Sequence, residues 1–144
     1  MDELLRPLPS PITPEAQPYW DGARQGKLMI PKCRACGKAF FHPRVLCPFC
    51  SSRDIAWIQA SGRGKLHSFA IAHQILNKAF KLKPPVILAM VELDEGPRLL
   101  TNLVNAEADP AKLRCDAPVE VLFEKQSDQI SLPVFQPAKA GGAR

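Results

Sequence analysis

A chain of 144 residues is expected to fold as one domain, or as one modest domain with an appendage. Its 46% apolar and 23% charged side chains belong to a soluble globular protein, and no apolar run approaches the ~18 residues of a membrane helix. The formal charge of +5 is unevenly spread: no acidic residue lies between Gly22 and Arg53, against Arg24, Lys27, Lys32, Arg34, Lys38, Arg44 and Arg53.

Arg63, Lys65, Lys78, Lys81 and Lys83 form a second basic stretch, also free of acids. Such stretches either offset the charge of metal-bound thiolates or attract a polyanion, whether nucleic acid or the phosphates of a cofactor such as coenzyme A. The opening Met1-Asp2-Glu3 lacks the basic-then-apolar order of a signal peptide, so the expected location is cytoplasmic. There the five cysteines are read as metal ligands plus one free thiol and not as disulfides.

Residues 1–26 read as a Pro-rich arm ending in a short helix. Fifteen prolines, about twice the usual share of roughly 5%, cluster between Arg6 and Pro18, at Pro84-Pro85, and near Pro133 and Pro137. Thr13-Pro14-Glu15 offers a first turn, Pro18 a first helical position, and Gly26 a stop for a helix running to about Gln25. Tyr19, Trp20 and Ala23 make one apolar face of it. That face either packs against the following domains or stays exposed as a grip on a larger partner.

Residues 27–60 centre on Cys33-Arg34-Ala35-Cys36 and Cys47-Pro48-Phe49-Cys50, two C-x-x-C pairs with ten residues between them. Thiolates at this spacing take the four corners of one tetrahedral zinc ion, and Gly37 suits the tight turn after the first pair. Residues 27–30 lead into the first knuckle, 39–42 leave it, and 55–58 follow the second, so three short strands are expected. A ribbon of about 30 residues is too small to hold a core unaided, and Zn2+ would supply much of its folding free energy. Four cysteines leave no need for His42 as a ligand and no open position for water, so the zinc is read as structural.

Residues 61–137 read as a five-stranded β-barrel, with strands at 66–73, 86–93, 98–104, 119–124 and 129–135. Ser61-Gly62-Arg63-Gly64 is a flexible turn into the first, and Asp94-Glu95-Gly96-Pro97 is a hairpin between the second and third. Residues 106–113 form a polar connector, and Pro133 argues for an edge position of the last strand. Five strands with a longer connector between the third and fourth is the layout of an OB-fold, whose closure hides the strand edges. The longest interruption, 74–85, carries Lys78, Phe80, Lys81 and Lys83 beside Ile75 and Leu76, and long loops inside compact domains are usually functional or mobile. Residues 138–144 are expected to be a flexible tail. The fold class is thus mainly β: a short helical arm, a zinc ribbon and an OB-fold barrel.

No Gly-x-Ser-x-Gly, P-loop or dinucleotide glycine fingerprint occurs. Cys115 has no histidine near it in sequence and is read as a small buried apolar residue in preference to a nucleophile. His67 and His73 would sit about 20 Å apart on a regular strand, too far for joint chemistry. Glu92, Asp94 and Glu95 are read as solvated turn residues. A binding or assembly module is therefore favoured over an enzyme acting by itself. An OB-fold binder of single-stranded nucleic acid is one such module. Against it, the barrel offers few aromatics (Phe69, Phe80, Phe123 and Phe135) and its hairpin is acidic.

The order of motifs resembles a known family. Pro18-Tyr19-Trp20 and Gly26-Lys27-Leu28 precede the cysteine pairs, Ser61-Gly62-Arg63-Gly64 opens the barrel, and Val91-Glu92-Leu93-Asp94-Glu95-Gly96-Pro97-Arg98 crosses its hairpin. Over about residues 14–137 this is similar to the acyl-CoA-associated proteins that join a rubredoxin-like zinc ribbon to an OB-fold, long catalogued as a domain of unknown function. The resemblance implies a non-catalytic partner of thiolase-like proteins (thiolases, acyltransferases or aldolases) that docks on the thiolase-fold dimer and helps wall the acyl-CoA channel. The catalytic nucleophile would belong to the larger subunit of an acyl-CoA-handling transferase or lyase complex. Carried over by position, Cys33, Cys36, Cys47 and Cys50 become zinc ligands. Arg63 and the 74–85 loop, with Lys78, Phe80, Lys81 and Lys83, become a candidate CoA- or partner-facing surface, and Tyr19 and Trp20 a candidate docking arm. A glycine is usual in the family near position 115, where this chain has Cys115-Asp116.

Overall fold

Proline sets the start of the first helix. In the computed structural model, which describes residues 6–138, Pro14–Ala16 form a single 3-10 turn that runs into α1, Gln17–Arg24. The expected flexible tail thus lies, beyond residue 138, outside the described residues. Thr13 closes the first turn through its carbonyl, which accepts the Ala16 N–H at 3.0 Å, and not through its side chain. Tyr19 and Ala23 are buried on the inner face of α1.

The ribbon is a two-stranded sheet, β1 (Met29–Cys33) against β2 (Ile55–Gln59), antiparallel, with Cys33 opposite Ile55. The third strand predicted over 39–42 is reduced to a single bridge between Lys32 and Ala39. Pro31 accounts for the difference. Its carbonyl accepts the Phe40 N–H at 3.1 Å, but proline has no N–H to return, so the ladder stops there.

Five strands close into a barrel: β3 (Arg63–Ala72), β4 (Val86–Leu93), β5 (Arg98–Leu103), β6 (Pro118–Lys125) and β7 (Ser131–Pro137), in the spatial order β3-β4-β5-β7-β6. Period-two burial makes the wall one-sided. Along β4, Ile87, Ala89, Val91 and Leu93 point inward while Leu88 is exposed. A register shift between Leu66 and Ser68 leaves His67 without a partner in the β3–β4 ladder, so His67 and His73 do not share a regular strand.

β7 is not the edge strand that Pro133 suggests. It runs antiparallel to β6 along its length and meets β5 in parallel at one register position, Leu103 opposite Phe135. The Pro133 carbonyl accepts the Thr101 hydroxyl at 3.1 Å, which places the backbone polar groups of Pro133 on this sparse β5–β7 seam. A missing N–H there interrupts no ladder. Arg6 straddles the same region, donating to Asn102 Oδ1 on β5 at 2.9 Å and reaching Glu124 on β6 at 3.5 Å.

One core joins the parts. Tyr19 of α1, Leu28 and Ile30 of the ribbon, and Ala60 of the link pack with Leu66, Ala89, Val91, Val119 and Phe135 of the barrel. Among the described residues, no helix is long and apolar enough to cross a membrane.

Candidate metal centre and flanking surfaces

Both knuckles repeat one turn. The Gly37 N–H donates to the Cys33 carbonyl at 2.8 Å and the Ser51 N–H to the Cys47 carbonyl at 2.9 Å. Gly37 and Ser51, each just after the second cysteine of its pair, have φ of 79° and 64°. Glycine meets that requirement without strain; Ser51 takes the same left-handed conformation at a small cost.

The turns bring the four sulfurs within 4.8 Å of one another, with Cys33–Cys50 at 3.6 Å and Cys36–Cys47 at 3.7 Å. A tetrahedron with metal–sulfur bonds of about 2.3 Å has edges of about 3.8 Å, so the set fits one Zn2+. The backbone prepares two of the thiols for it. The Cys36 N–H, 3.5 Å from Cys33 Sγ, lowers the Cys33 pKa. Burial pushes Cys47 up, but N–H groups of Phe49 and Cys50 aimed at its sulfur outweigh this and bring it down to about 7. At Cys50 a backbone N–H works downward, yet burial and the three neighbouring thiols raise it to about 12. Four crowded sulfurs cannot all ionise without a cation among them. Bound zinc would supply a cross-link between the two knuckles, held by Cys33, Cys36, Cys47 and Cys50.

His42 is not in this set; its ring lies against Phe41 at 4.7 Å. Cys115 is exposed, contrary to the expectation of burial, because it sits in the turn outside the barrel wall before β6, where the Asp116 N–H is bonded to the Leu66 carbonyl at 2.7 Å. The hairpin acids are also not simply solvated. Glu92 lies between Arg98 at 3.1 Å and Lys65 at 3.3 Å, whose hydrogen bonds lower its pKa. Glu95 Oε2 accepts the Ser61 N–H at 2.8 Å and so ties the link to the hairpin.

The remaining predicted site residues fall in three places. Arg63 is exposed at the start of β3, whereas Lys78, Phe80, Lys81 and Lys83 lie on the loop beyond its end, so about 30 Å of strand separates them. Tyr19 is buried, edge-on to Trp20 at 4.9 Å and tilted against Phe41 at 5.1 Å. Trp20 is half-buried and lines a cavity of about 450 Å3 with Arg6, Phe41, His42, Thr101 and Leu100. Sequence reasoning passed over the exposed Val45, Leu46 and Phe49 of the second knuckle, and Leu88 and Leu100 on the outer barrel wall. Strand alternation carries a signal for the last two; the knuckle has no period to read.

A four-cysteine ribbon sharing its core with a closed OB barrel defines the class of protein: a zinc-ribbon/OB-fold module. Two family models match it, the rubredoxin-like zinc ribbon domain of ChsH2 over residues 20–56 and the C-terminal OB-fold domain of ChsH2 over residues 57–124. The chain is 37% identical over 136 residues to a "Probable enoyl-CoA hydratase alpha subunit" of Thermomonospora curvata, covering 94% of this chain but 41% of that one. It is 32% identical to a "DUF35 domain-containing scaffold protein" of Methanothermobacter thermautotrophicus, covering 68% of this chain and 72% of that one. Among solved structures, the "Ltp2-ChsH2(DUF35) aldolase" superposes with a TM-score of 0.79 at 35% identity, over 92% of this chain and 100% of that chain. The chain belongs to the DUF35 family, with the zinc ribbon and OB-fold of ChsH2. It spans about two-fifths of the length of the hydratase subunit it matches.

Proposed function

We propose that this chain is a non-catalytic accessory subunit of a thiolase-fold enzyme, of the thiolase, acyltransferase or aldolase type, in the cytoplasm. It docks on that enzyme and helps form its acyl-CoA channel. The observation that carries the reading is the likeness over a whole chain of the Ltp2-ChsH2(DUF35) aldolase. The chemistry agrees: four cysteines fill a tetrahedral zinc, so the metal has no position for a substrate.

Within this reading Lys78, Lys81 and Lys83, on a loop that also exposes Leu76 and Phe80, meet the phosphates of acyl-CoA. Arg63 and Trp20 face the partner, and Tyr19 holds Trp20 in place from inside. The outer wall of the barrel favours protein over nucleic acid. Its exposed large side chains, Leu88 and Leu100, are aliphatic, while Phe69 and Phe123 are half-buried and Phe135 is buried. Aliphatic groups make no stacking platform for bases.

Co-purification with a thiolase-fold partner, followed by acyl-CoA titration of the assembled complex, tests the proposal. Simultaneous Lys78→Ala, Lys81→Ala and Lys83→Ala should weaken acyl-CoA roughly tenfold. Unchanged affinity would remove the loop from the CoA site, and failure of the wild-type chain to bind any thiolase-fold protein would remove the function.

A further inference from the structure

The second knuckle ends in an apolar tip that no described part of the fold covers. Val45 and Phe49 are 59% and 58% exposed, and Leu46 is 39% exposed. This turn is nevertheless well fixed: Cys47 and Ser52 share a 2.9 Å backbone hydrogen bond beside the sulfur cluster. Apolar side chains on a metal-fixed turn lose little freedom when they are buried by something else, which is the property of an interface anchor.

Charge about the tip has one sign. Lys38 Nζ stands 4.8 Å above the centre of the Phe49 ring. Arg44 and Arg53 are exposed and have no ion-pair partner among the described residues. Asp54, the first acid after this stretch, is already paired with Arg34 at 3.4 Å.

We propose that Val45, Leu46 and Phe49 form a plug that seats in an apolar recess rimmed by carboxylates on the larger subunit, with Lys38, Arg44 and Arg53 meeting the rim. This rests on the accessory-subunit reading above and names the surface that does the docking. Two of the three apolar groups are aliphatic, and one face of Phe49 lies under an ammonium, so the tip suits a protein recess better than a stack of bases. The tip is also close in the chain to the cavity beside α1. Pro43, two residues before Val45, lines the same cavity as Trp20 and Leu100.

The test uses the assembled complex with its thiolase-fold partner. Val45→Asp alone, which lies outside the cysteine pairs, and Val45→Asp with Phe49→Asp should raise the dissociation constant, the double variant by about 30-fold or more. Lys38→Glu with Arg44→Glu should slow association about tenfold at low ionic strength, with the difference fading as salt is added. Retained zinc and an unshifted thermal transition establish that each variant is folded. If the wild type binds and the folded variants bind equally well, the plug is wrong while the accessory role stands. If the wild type forms no complex, both fall. Single-stranded oligonucleotide binding that these same substitutions abolish would assign the tip to nucleic acid and overturn the proposal.

Discussion

Gly64→Ala tests whether the Ser61-Gly62-Arg63-Gly64 link is a structural necessity of the barrel and not merely a flexible turn. A Cβ on Gly64 would lie 2.3 Å from the Glu92 carbonyl oxygen, 3.0 Å from its carbon and 3.1 Å from Leu93 Cα. All three are backbone atoms of β4 and cannot rotate away. Gly64 also pairs with both Leu93 on β4 and Val119 on β6, so it sits where β3 is held on each side. Relieving the contact requires β4 to retreat by roughly 1 Å, enough to lose two or three ladder hydrogen bonds worth about 1 kcal/mol each net. With some overpacking strain the cost is about 2–4 kcal/mol, or a fall in Tm of roughly 10 °C. Urea and thermal unfolding followed by circular dichroism, with zinc content checked, measure it. Gly62→Ala is the control. Its φ is +81° and its Cβ would meet Val121 Cγ1 at 2.6 Å, a side-chain atom that can shift, so about 1–2 kcal/mol is expected. A Gly64→Ala protein within 0.5 kcal/mol of wild type, or one more stable than Gly62→Ala, would refute the reasoning.

Removing zinc with a chelator, or replacing Cys47 by Ser, should melt the ribbon and weaken the packing of α1 and the barrel, since Leu28 and Ile30 belong to their shared core; an unchanged thermal transition after verified metal loss would contradict this. Tyr19 is the single tyrosine, so its phenolate absorbance reports one group. Burial raises its pKa above the ordinary 10.0; the stability it contributes is intact below pH 10.0 and is lost as pH climbs from there toward the folded value. Alkaline titration should therefore show the phenol ionising together with unfolding, and ionisation at pH 10 in a folded chain would show that Tyr19 is solvated. Phe135→Ala, at a fully buried site in the barrel, should cost about 3–5 kcal/mol in urea unfolding, and a loss below 1 kcal/mol would mean the core collapses around the cavity.

The four-cysteine cluster was legible in the sequence because it is carried by local spacing: each knuckle needs only four residues and the turn after it. The barrel strands were legible for a similar reason, since Val86–Leu93 is an almost unbroken apolar run that ends at the Asp94-Glu95-Gly96-Pro97 hairpin. Only the fold shows that Ile87, Ala89 and Val91 face inward and Leu88 outward. What failed depends on partners distant in the chain. Whether residues 39–42 make a strand is decided by Pro31 opposite them, and whether Pro133 is at an edge by which side of β7 is sparsely bonded. Cys115 looks like a core residue until the turn that holds it is placed outside the wall. Arg6 carried no signal at all, because Asn102 and Glu124 come close to it only after the barrel has closed.

That last contact bears on how the molecule breathes. The β5–β7 seam is joined by one register pair, with a Thr101–Pro133 bond and an Asn105–Gln136 side-chain bond beside it. Arg6 bridges the strands on either side of β7. Amide exchange is governed by the cheapest local opening, so the N–H of Val104, bonded across the seam to Phe135, should exchange before those of the β3–β4 ladder. Arg6→Ala should hasten it further while leaving the ladder protected. A residue in the Pro-rich arm would then set the opening rate of a wall built almost a hundred residues later.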